Sequence, residues 1–251
     1  MNNAQTVTLI DDIRGLGISA GDTLLIHSSL RSLGKLENGA ASVIEAFLEV
    51  LGGQGTLLMP SLTYEYATSE NPVFSSLYTK TCVGALPEAF RAYPGTLRSL
   101  HPTHSVCANG KNARQLTERH IEDTTPVGPN SPFRLLREVG GKILMLGCGL
   151  RPNTSMHGVE ELVVPPYLFA DKQTEYLLVD AQNNVLCKPY IRHNFKGVAQ
   201  RYDRMEQLLS PDELKKGTIL NAECFLLDAQ ALWLKGEQQL RKDPLFFVDY
   251  I

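Results

Sequence analysis

The chain has 251 residues, 43% hydrophobic and 20% charged, with a net charge of -3. That is the balance of a soluble globular protein, and it excludes a broad electrostatic pull toward nucleic acid, although a local basic patch can still hold phosphate. The five cysteines, Cys82, Cys107, Cys148, Cys187 and Cys224, are odd in number, widely spaced and without a C-x-x-C pair. This argues against a disulfide framework or structural zinc and fits a reducing cytoplasm. The start, residues 1–5, is polar, and no apolar run approaches the roughly 18 to 20 residues of a membrane span. No repeat or long linker divides the sequence. The expectation is one domain over residues 1–251, cytoplasmic, with neither nucleic acid nor membrane as partner.

Residues 6–16 carry Val7, Ile10, Ile13 and Leu16 at helical spacing. Residues 23–26 read as a strand. It ends in His27-Ser28-Ser29-Leu30-Arg31-Ser32-Leu33-Gly34, where hydroxyls, free N–H groups and a basic side chain suit a pyrophosphate or a pantetheine amide. A capped turn is the plain alternative. Residues 40–51 form an amphipathic helix and residues 55–60 a further strand, followed by Tyr64 and Glu65. Tyrosine faces pack on sugar rings and a carboxylate binds ammonium, so these two are candidate substrate contacts. Residues 71–82 read as a loop over the site, and residues 86–93 as a helix.

Residues 98–108 join a candidate phosphate pair, Arg98 and Ser99, to a strand beginning at Ser105. His101 and His104 stand close together, but no neighbouring Cys, Asp or Glu completes a ligand set, so no metal is expected. Helices follow over 112–120 and 133–139, separated by a proline-rich loop. Residues 142–146 are a buried strand. Further on, residues 176–179 and 185–188 suggest a β-hairpin, 190–195 another polar cluster, 202–209 a helix, 211–228 a mixed pattern, 229–235 a helix and 244–247 a docked apolar tail. The alternation of strands and helices up to about residue 160 predicts an α/β sheet.

The chemistry concentrates after the 142–146 strand, in Gly147-Cys148-Gly149-Leu150-Arg151-Pro152-Asn153-Thr154-Ser155-Met156-His157-Gly158-Val159-Glu160-Glu161. The end of a strand opening into a helix is where α/β proteins bind ligands. Asn153, Thr154 and Ser155 are all candidate N-caps. His157 and Glu160, three apart, share a helix face. An ordinary strand–loop–helix corner with a surface histidine is the competing reading of the same residues.

Taken together, these segments resemble the aminoglycoside 3-N-acetyltransferase (antibiotic N-acetyltransferase) family. The matching pieces are His27 to Gly34, Gly55 to Pro60, Arg98 to Ser105, Ser131-Pro132 and Leu146 to Glu160, in the family's order and spacing. The resemblance implies the family's own α/β/α sandwich around a central mixed sheet. It implies acetyl-CoA as co-substrate, contacted by Ser28, Ser29, Leu30, Arg31, Ser32, Arg98, Ser99 and Ser105. It puts the catalytic histidine at His157, with Thr154 where the thioester carbonyl is held. The acceptor is an aminosugar or aminoglycoside-like amine, met by Tyr64, Glu65, Glu160 and His193, and a homodimer is compatible with the family.

Members that inactivate antibiotics resemble Tyr-Leu-Glu-Asn-Asp where this chain has Tyr190-Ile191-Arg192-His193-Asn194. Arg192 and Asn194 then replace carboxylates that orient the histidine, and the local field is less negative. A sugar-nucleotide or glycan intermediate is therefore an alternative acceptor. The expected reaction is direct attack by the amine, with His157 as general base and Glu160 or another carboxylate orienting it or the substrate. Two rivals remain open: a covalent route through Cys148, and a CoA-binding homologue without turnover.

Overall fold

The computed structural model describes residues 3–251, with side chains from Ala4 onward; Met1 and Asn2, at the start of the polar N-terminus, lie outside the described residues. The elements in chain order are α1 (Asn3–Gly15), β1 (Thr23–Ser28), α2 (Gly39–Leu51), β2 (Thr56–Pro60), β3 (Val73–Ser75), α3 (Ala85–Arg91), β4 (Leu97–Arg98), β5 (Val106–Gly110), α4 (Ala113–Thr117) and α5 (Pro132–Glu138). They continue with β6 (Lys142–Leu146), α6 (Ser155–Glu161), β7 (Phe169–Val179), β8 (Val185–His193), β9 (Val198–Gln200), β10 (Leu214–Ile219), β11 (Ala222–Asp228), α7 (Ala229–Lys242) and β12 (Val248–Tyr250).

Seven strands make the main sheet, in the order β10-β11-β6-β1-β2-β5-β4. The central pairs β6–β1 and β1–β2 are parallel, and the flanking pairs are antiparallel. The sheet is therefore mixed, as the resemblance implies. Strand alternation sends side chains to two separate cores. Leu24, Ile26, Leu144 and Leu146 face one layer, with Ile13 of α1, Phe47 of α2 and Phe90 of α3. Leu25, Leu58, Ile143 and Met145 face the other, with Leu116 of α4, Phe133 of α5, Met156 of α6 and Trp233 of α7. Helices on both faces complete the α/β/α sandwich. Among the described residues, no helix is long and apolar enough to cross a membrane.

The C-terminal third departs most from the sequence expectations. The predicted hairpin is real but longer: β7 and β8 pair from Phe169↔His193 to Val179↔Val185, and β3, inside the expected loop, joins their sheet through β7. The mixed segment 211–228 is a second antiparallel hairpin, β10–β11, at the sheet edge. Its turn is Leu220-Asn221, with Leu220 at a φ of 49° and its N–H donated to Asp12 Oδ2 at 2.8 Å. A long-range carboxylate thus holds a turn that normally asks for glycine. Residues 202–209 are a 3-10 turn over Tyr202–Gln207 rather than an α-helix, and the helix expected at 112–120 shortens to α4 plus a 3-10 turn over His120–Glu122.

Helix α6 sits against α7 at Gly158. A Cβ there would stand 2.2 Å from the Trp233 ring and 2.4 Å from Val127. Gly158→Ala forces these helices apart, and overpacking of this kind costs about 1–3 kcal/mol. A fall of that size in chemical-denaturation stability is the expected result, measured with urea or guanidinium; unchanged stability would show that the contact relaxes freely.

Candidate active site

Strand β6 is followed by Gly147, whose φ of 68° turns the chain; a Cβ there would meet Ser32 Cβ at 2.5 Å. Helix α6 then begins after Thr154, with Asn153 Oδ1 accepting the Ser155 N–H at 3.2 Å. The next two N–H groups, of Met156 and His157, bond the carbonyls of Asn153 and Thr154. The helix start therefore spends its donors internally, and the pocket-lining polar group it contributes is Thr154 itself.

Glu160, fully buried, lies one turn below His157. Its Oε1 accepts the Tyr167 hydroxyl at 2.8 Å and its Oε2 the Tyr202 hydroxyl at 2.7 Å. Two such bonds offset the cost of burying a carboxylate. Tyr202 Oη also lies 2.8 Å from His157 Nδ1, whereas Glu160 Oε2 is 3.6 Å from that nitrogen, beyond a good hydrogen bond. Burial, reinforced by Glu160, pushes the Tyr202 phenol well above its usual range. A phenol that keeps its single proton and gives it to Glu160 can only accept from His157. Nδ1 is then the protonated nitrogen, and Nε2 keeps the lone pair.

Two more histidines close on the same point. The His157 ring centroid lies 5.8 Å from that of His104 and 5.1 Å from that of His193. His193 comes from the end of β8 and pairs through Nε2 with Glu161 Oε1 at 2.9 Å. Burial raises the Glu161 carboxyl to about 7, although Thr125 Oγ1 and the Val127 N–H both donate to it. His104 bonds Thr103 Oγ1 through Nδ1 at 2.9 Å. Burial, and then the neighbouring imidazoles, hold His104 and His193 well below the ordinary histidine range.

The pocket over these rings has a volume of about 410 Å³ and is lined by Tyr64, Thr103, Arg151, Thr154, Arg192, Phe195 and Gln200, among others, with no Asp or Glu. A narrow cavity of about 80 Å³ shares Val83, Pro152 and Thr154 with it, and reaches back to His27, Ser28 and Cys148. Ser28 in turn opens on an outer groove of about 630 Å³ along Ser28, Ser29, Leu30 and Arg31. Ser28 lines both the outer groove and the small cavity, and Val83, Pro152 and Thr154 line both the cavity and the pocket. A wider groove of about 770 Å³ between α1 and β10 holds Asp, Glu and Lys side chains but no histidine, and shares no lining residue with these three.

The sequence profile of the family described as aminoglycoside 3-N-acetyltransferase matches residues 25–241. The chain belongs to that family. Aminoglycoside N(3)-acetyltransferase IV from a Salmonella species is 31% identical over 250 residues, covering 96% of this chain and 88% of that protein. Aminoglycoside N(3)-acetyltransferase VIII from Streptomyces fradiae is 33% identical over 175 residues; there the match spans 63% of this chain and only 61% of the relative. Among solved structures, AAC-IIIb in its binary complex with CoASH superposes with a TM-score of 0.81 at 27% identity, covering 94% of this chain and 96% of the other. A mutant of aminoglycoside acetyltransferase AAC(3)-IVa in complex with a gentamicin gives 0.81 at 27% identity, with coverages of 96% and 90%. The curated relatives are acyltransferases, and the resemblance read from the sequence is upheld.

Within this family member the expected site residues fall into two groups. His157, Thr154, Tyr64 and His193 meet at the pocket, and Ser28, Ser29, Leu30 and Arg31 line the outer groove. Arg98 does not come to either. It is enclosed, donating to the carbonyls of Ser76, Thr79 and Ser61 and to Ser105 Oγ, and burial lowers its guanidinium to about 10. Ser99 bonds His120 and the Val106 N–H, and Ser105 donates to Ser61 O. These three tie the far end of the sheet together, so the expected phosphate contacts are internal struts. Ser32 likewise ties Ser29 Oγ to Gly147 O. Glu65 is exposed and off the pocket lining, and both oxygens of Glu160 are taken by phenols rather than facing an acceptor. Tyr202 is the group that sequence reasoning missed: nothing in a lone Tyr at a 3-10 turn marks it.

His27 and His120 are buried, and burial lowers each from 6.5 to about 3. The unfolded chain takes up these protons between pH 6.5 and 3 and the folded chain does not. Stability is therefore full above about 6.5 and falls as pH drops, by up to roughly 1.4 kcal/mol per pH unit for each histidine. Denaturant titrations from pH 7 to 4.5 should show a shallower slope for His120→Gln than for the parent chain; parallel slopes would mean that His120 is protonated in the fold.

Proposed function

We propose that the protein is an acetyl-CoA-dependent N-acetyltransferase acting on the amine of an aminosugar-type acceptor, with His157 as general base. The observation that carries this reading is the hydrogen-bonded chain from Glu160 through Tyr202 to His157 Nδ1. It leaves the lone pair on Nε2 in a pocket that His157 lines, next to the small cavity and the surface groove with which that pocket is linked by shared lining residues. The relatives' complexes with CoASH and with a gentamicin support a thioester donor and an amino-sugar acceptor.

The nucleotide end of the donor fits the outer groove, where Arg31 is exposed and no ion-pair partner occupies it among the described residues. The slim pantetheine arm suits the passage at Ser28, whose Oγ is buried without a partner. The thioester then reaches Thr154 and His157. The acceptor ammonium first gives one proton to solvent; as the free amine nitrogen then bonds the acetyl carbon, His157 Nε2 takes a second proton. The C–S bond breaks, and the sulfur receives that proton from His157. Thr154 Oγ1 is the side-chain donor for the developing oxyanion, a contribution of about 3 kcal/mol for a well-aimed donor.

Cys148 makes a poor nucleophile for the covalent alternative, because burial raises its thiol to about 12. Replacing it with Ala should leave turnover within a few fold. His157→Ala should abolish thiol release from acetyl-CoA while CoA binding, followed by calorimetry, persists. Turnover near normal in that variant would remove the base assignment.

A second feature bears on the acceptor. Arg151 and Arg192 line the pocket without an acidic residue, and Arg192 has no ion-pair partner among the described residues. Arg151 pairs with Asp203 at 3.3 Å, so the unpaired guanidinium is that of Arg192; a polycation would lie against it, whereas an aminosugar that also carries a phosphate or carboxylate would be drawn in. Amino-sugar phosphates should therefore give a higher kcat/KM than unmodified aminoglycosides. Arg192→Ala should reduce that preference by roughly tenfold or more, the worth of one charge-assisted hydrogen bond. A strong preference for polyamine aminoglycosides, unaffected by Arg192→Ala, would exclude the anionic-acceptor reading.

A further inference from the structure

Proton transfer at His157 leaves His104 and His193 without a task. Each of the three rings offers a nitrogen within 4.8 Å of the other two. We propose that His104, His157 and His193 form a binding site for a divalent transition ion of the zinc class, and that its occupation takes the pocket-facing nitrogen of His157 and blocks acyl transfer. The blocking half rests on His157 being the general base; the binding half does not.

Each ring has one nitrogen held by a hydrogen bond, which leaves the other for a ligand. His104 Nδ1 bonds Thr103 Oγ1 at 2.9 Å, His157 Nδ1 bonds Tyr202 at 2.8 Å, and His193 Nε2 bonds Glu161 at 2.9 Å. Imidazoles that ligate metals are oriented in this way by hydroxyl, carboxylate or carbonyl partners. The free nitrogen of His193 is the telling one. Its side chain is 4% exposed, and Nδ1 is buried with no hydrogen-bond partner. An unpaired buried acceptor carries a cost that a ligand bond removes. Burial also keeps His104 and His193 neutral, the form that ligates.

Three imidazoles without a carboxylate or thiolate select zinc, cobalt, nickel or copper over magnesium and calcium. Zinc–nitrogen distances of about 2.0–2.1 Å in tetrahedral geometry need nitrogens roughly 3.3 Å apart, so the rings must close by small side-chain rotations. The fourth position would open into the pocket. Sequence alone set a metal aside because His101 and His104 have no third ligand nearby. In the fold, His101 Nδ1 instead accepts the N–H groups of Thr103 and His104, and the partners of His104 arrive from α6 and β8.

The test uses the full chain, stripped with a chelator and titrated with Zn²⁺ or Co²⁺. One equivalent should bind, Co²⁺ should give the intense visible absorption of a tetrahedral site, and His104→Ala and His193→Ala should each weaken binding by more than the roughly 10–100-fold that an outer-shell loss costs. Retained CoA binding shows that the variants fold. Zn²⁺ should suppress thiol release, and chelator should restore it. No stoichiometric binding, or binding indifferent to both replacements, overturns the site and leaves the base role of His157 intact. Full turnover with the ion bound overturns the blocking. Turnover that is absent in the stripped protein and restored by Zn²⁺ overturns the blocking and also the base role.

Discussion

A carboxylate sealed from water organises the centre of this molecule. Glu160 is fully buried, and one of the two phenols that satisfy it is near in sequence and the other far: Tyr167 just after α6, and Tyr202 in the 3-10 turn before β10. Neither can leave without exposing a buried charge to an apolar surrounding, which is expensive. The pair therefore fixes where the C-terminal third meets α6. Because Tyr202 also touches His157, the same constraint that assembles the fold sets the tautomer of the reactive imidazole. Stability and chemistry share one hydrogen-bond network.

The sheet supplies the rest by division of labour. Parallel β6, β1 and β2 end on one side, and the segments that follow β6 and β1 line the inner pocket and the outer groove. Helix α6 packs closely on Trp233 of α7 at Gly158, and His157 of the same helix lines the inner pocket. The antiparallel hairpin β7–β8 then brings His193 and Arg192 across the opening. Glu161, the neighbour of Glu160, anchors His193 as Glu160 anchors His157 through Tyr202. Adjacent glutamates on α6 thus orient two histidines.

Local pattern revealed much of the sandwich. Helical spacing marked α1 and α2, and unbroken apolar runs marked β2 and β6, because buried parallel strands and amphipathic helices write their periods directly into sequence. Family resemblance and the strand–loop–helix corner at Gly147 pointed to His157 and Thr154. The failures are long-range. Strand β10 has apolar residues only at its ends, and its turn is held by Asp12 from α1, so no nearby signal announces it. Arg98, Ser99 and Ser105 look like phosphate ligands in one dimension, yet carbonyls from residues 61 to 79 and the ring of His120 claim them in three. Tyr202 is invisible for the same reason: its importance lies in what stands on either side of its hydroxyl.

The central claim is that Glu160, acting through Tyr202, keeps the proton on His157 Nδ1 and the lone pair on Nε2. Nitrogen-15 NMR of the metal-free protein, at a pH where the imidazole is neutral, reads this directly. The account predicts a protonated Nδ1 and a bare Nε2 for His157, lost in Tyr202→Phe. A proton resident on Nε2 in the parent chain would contradict it.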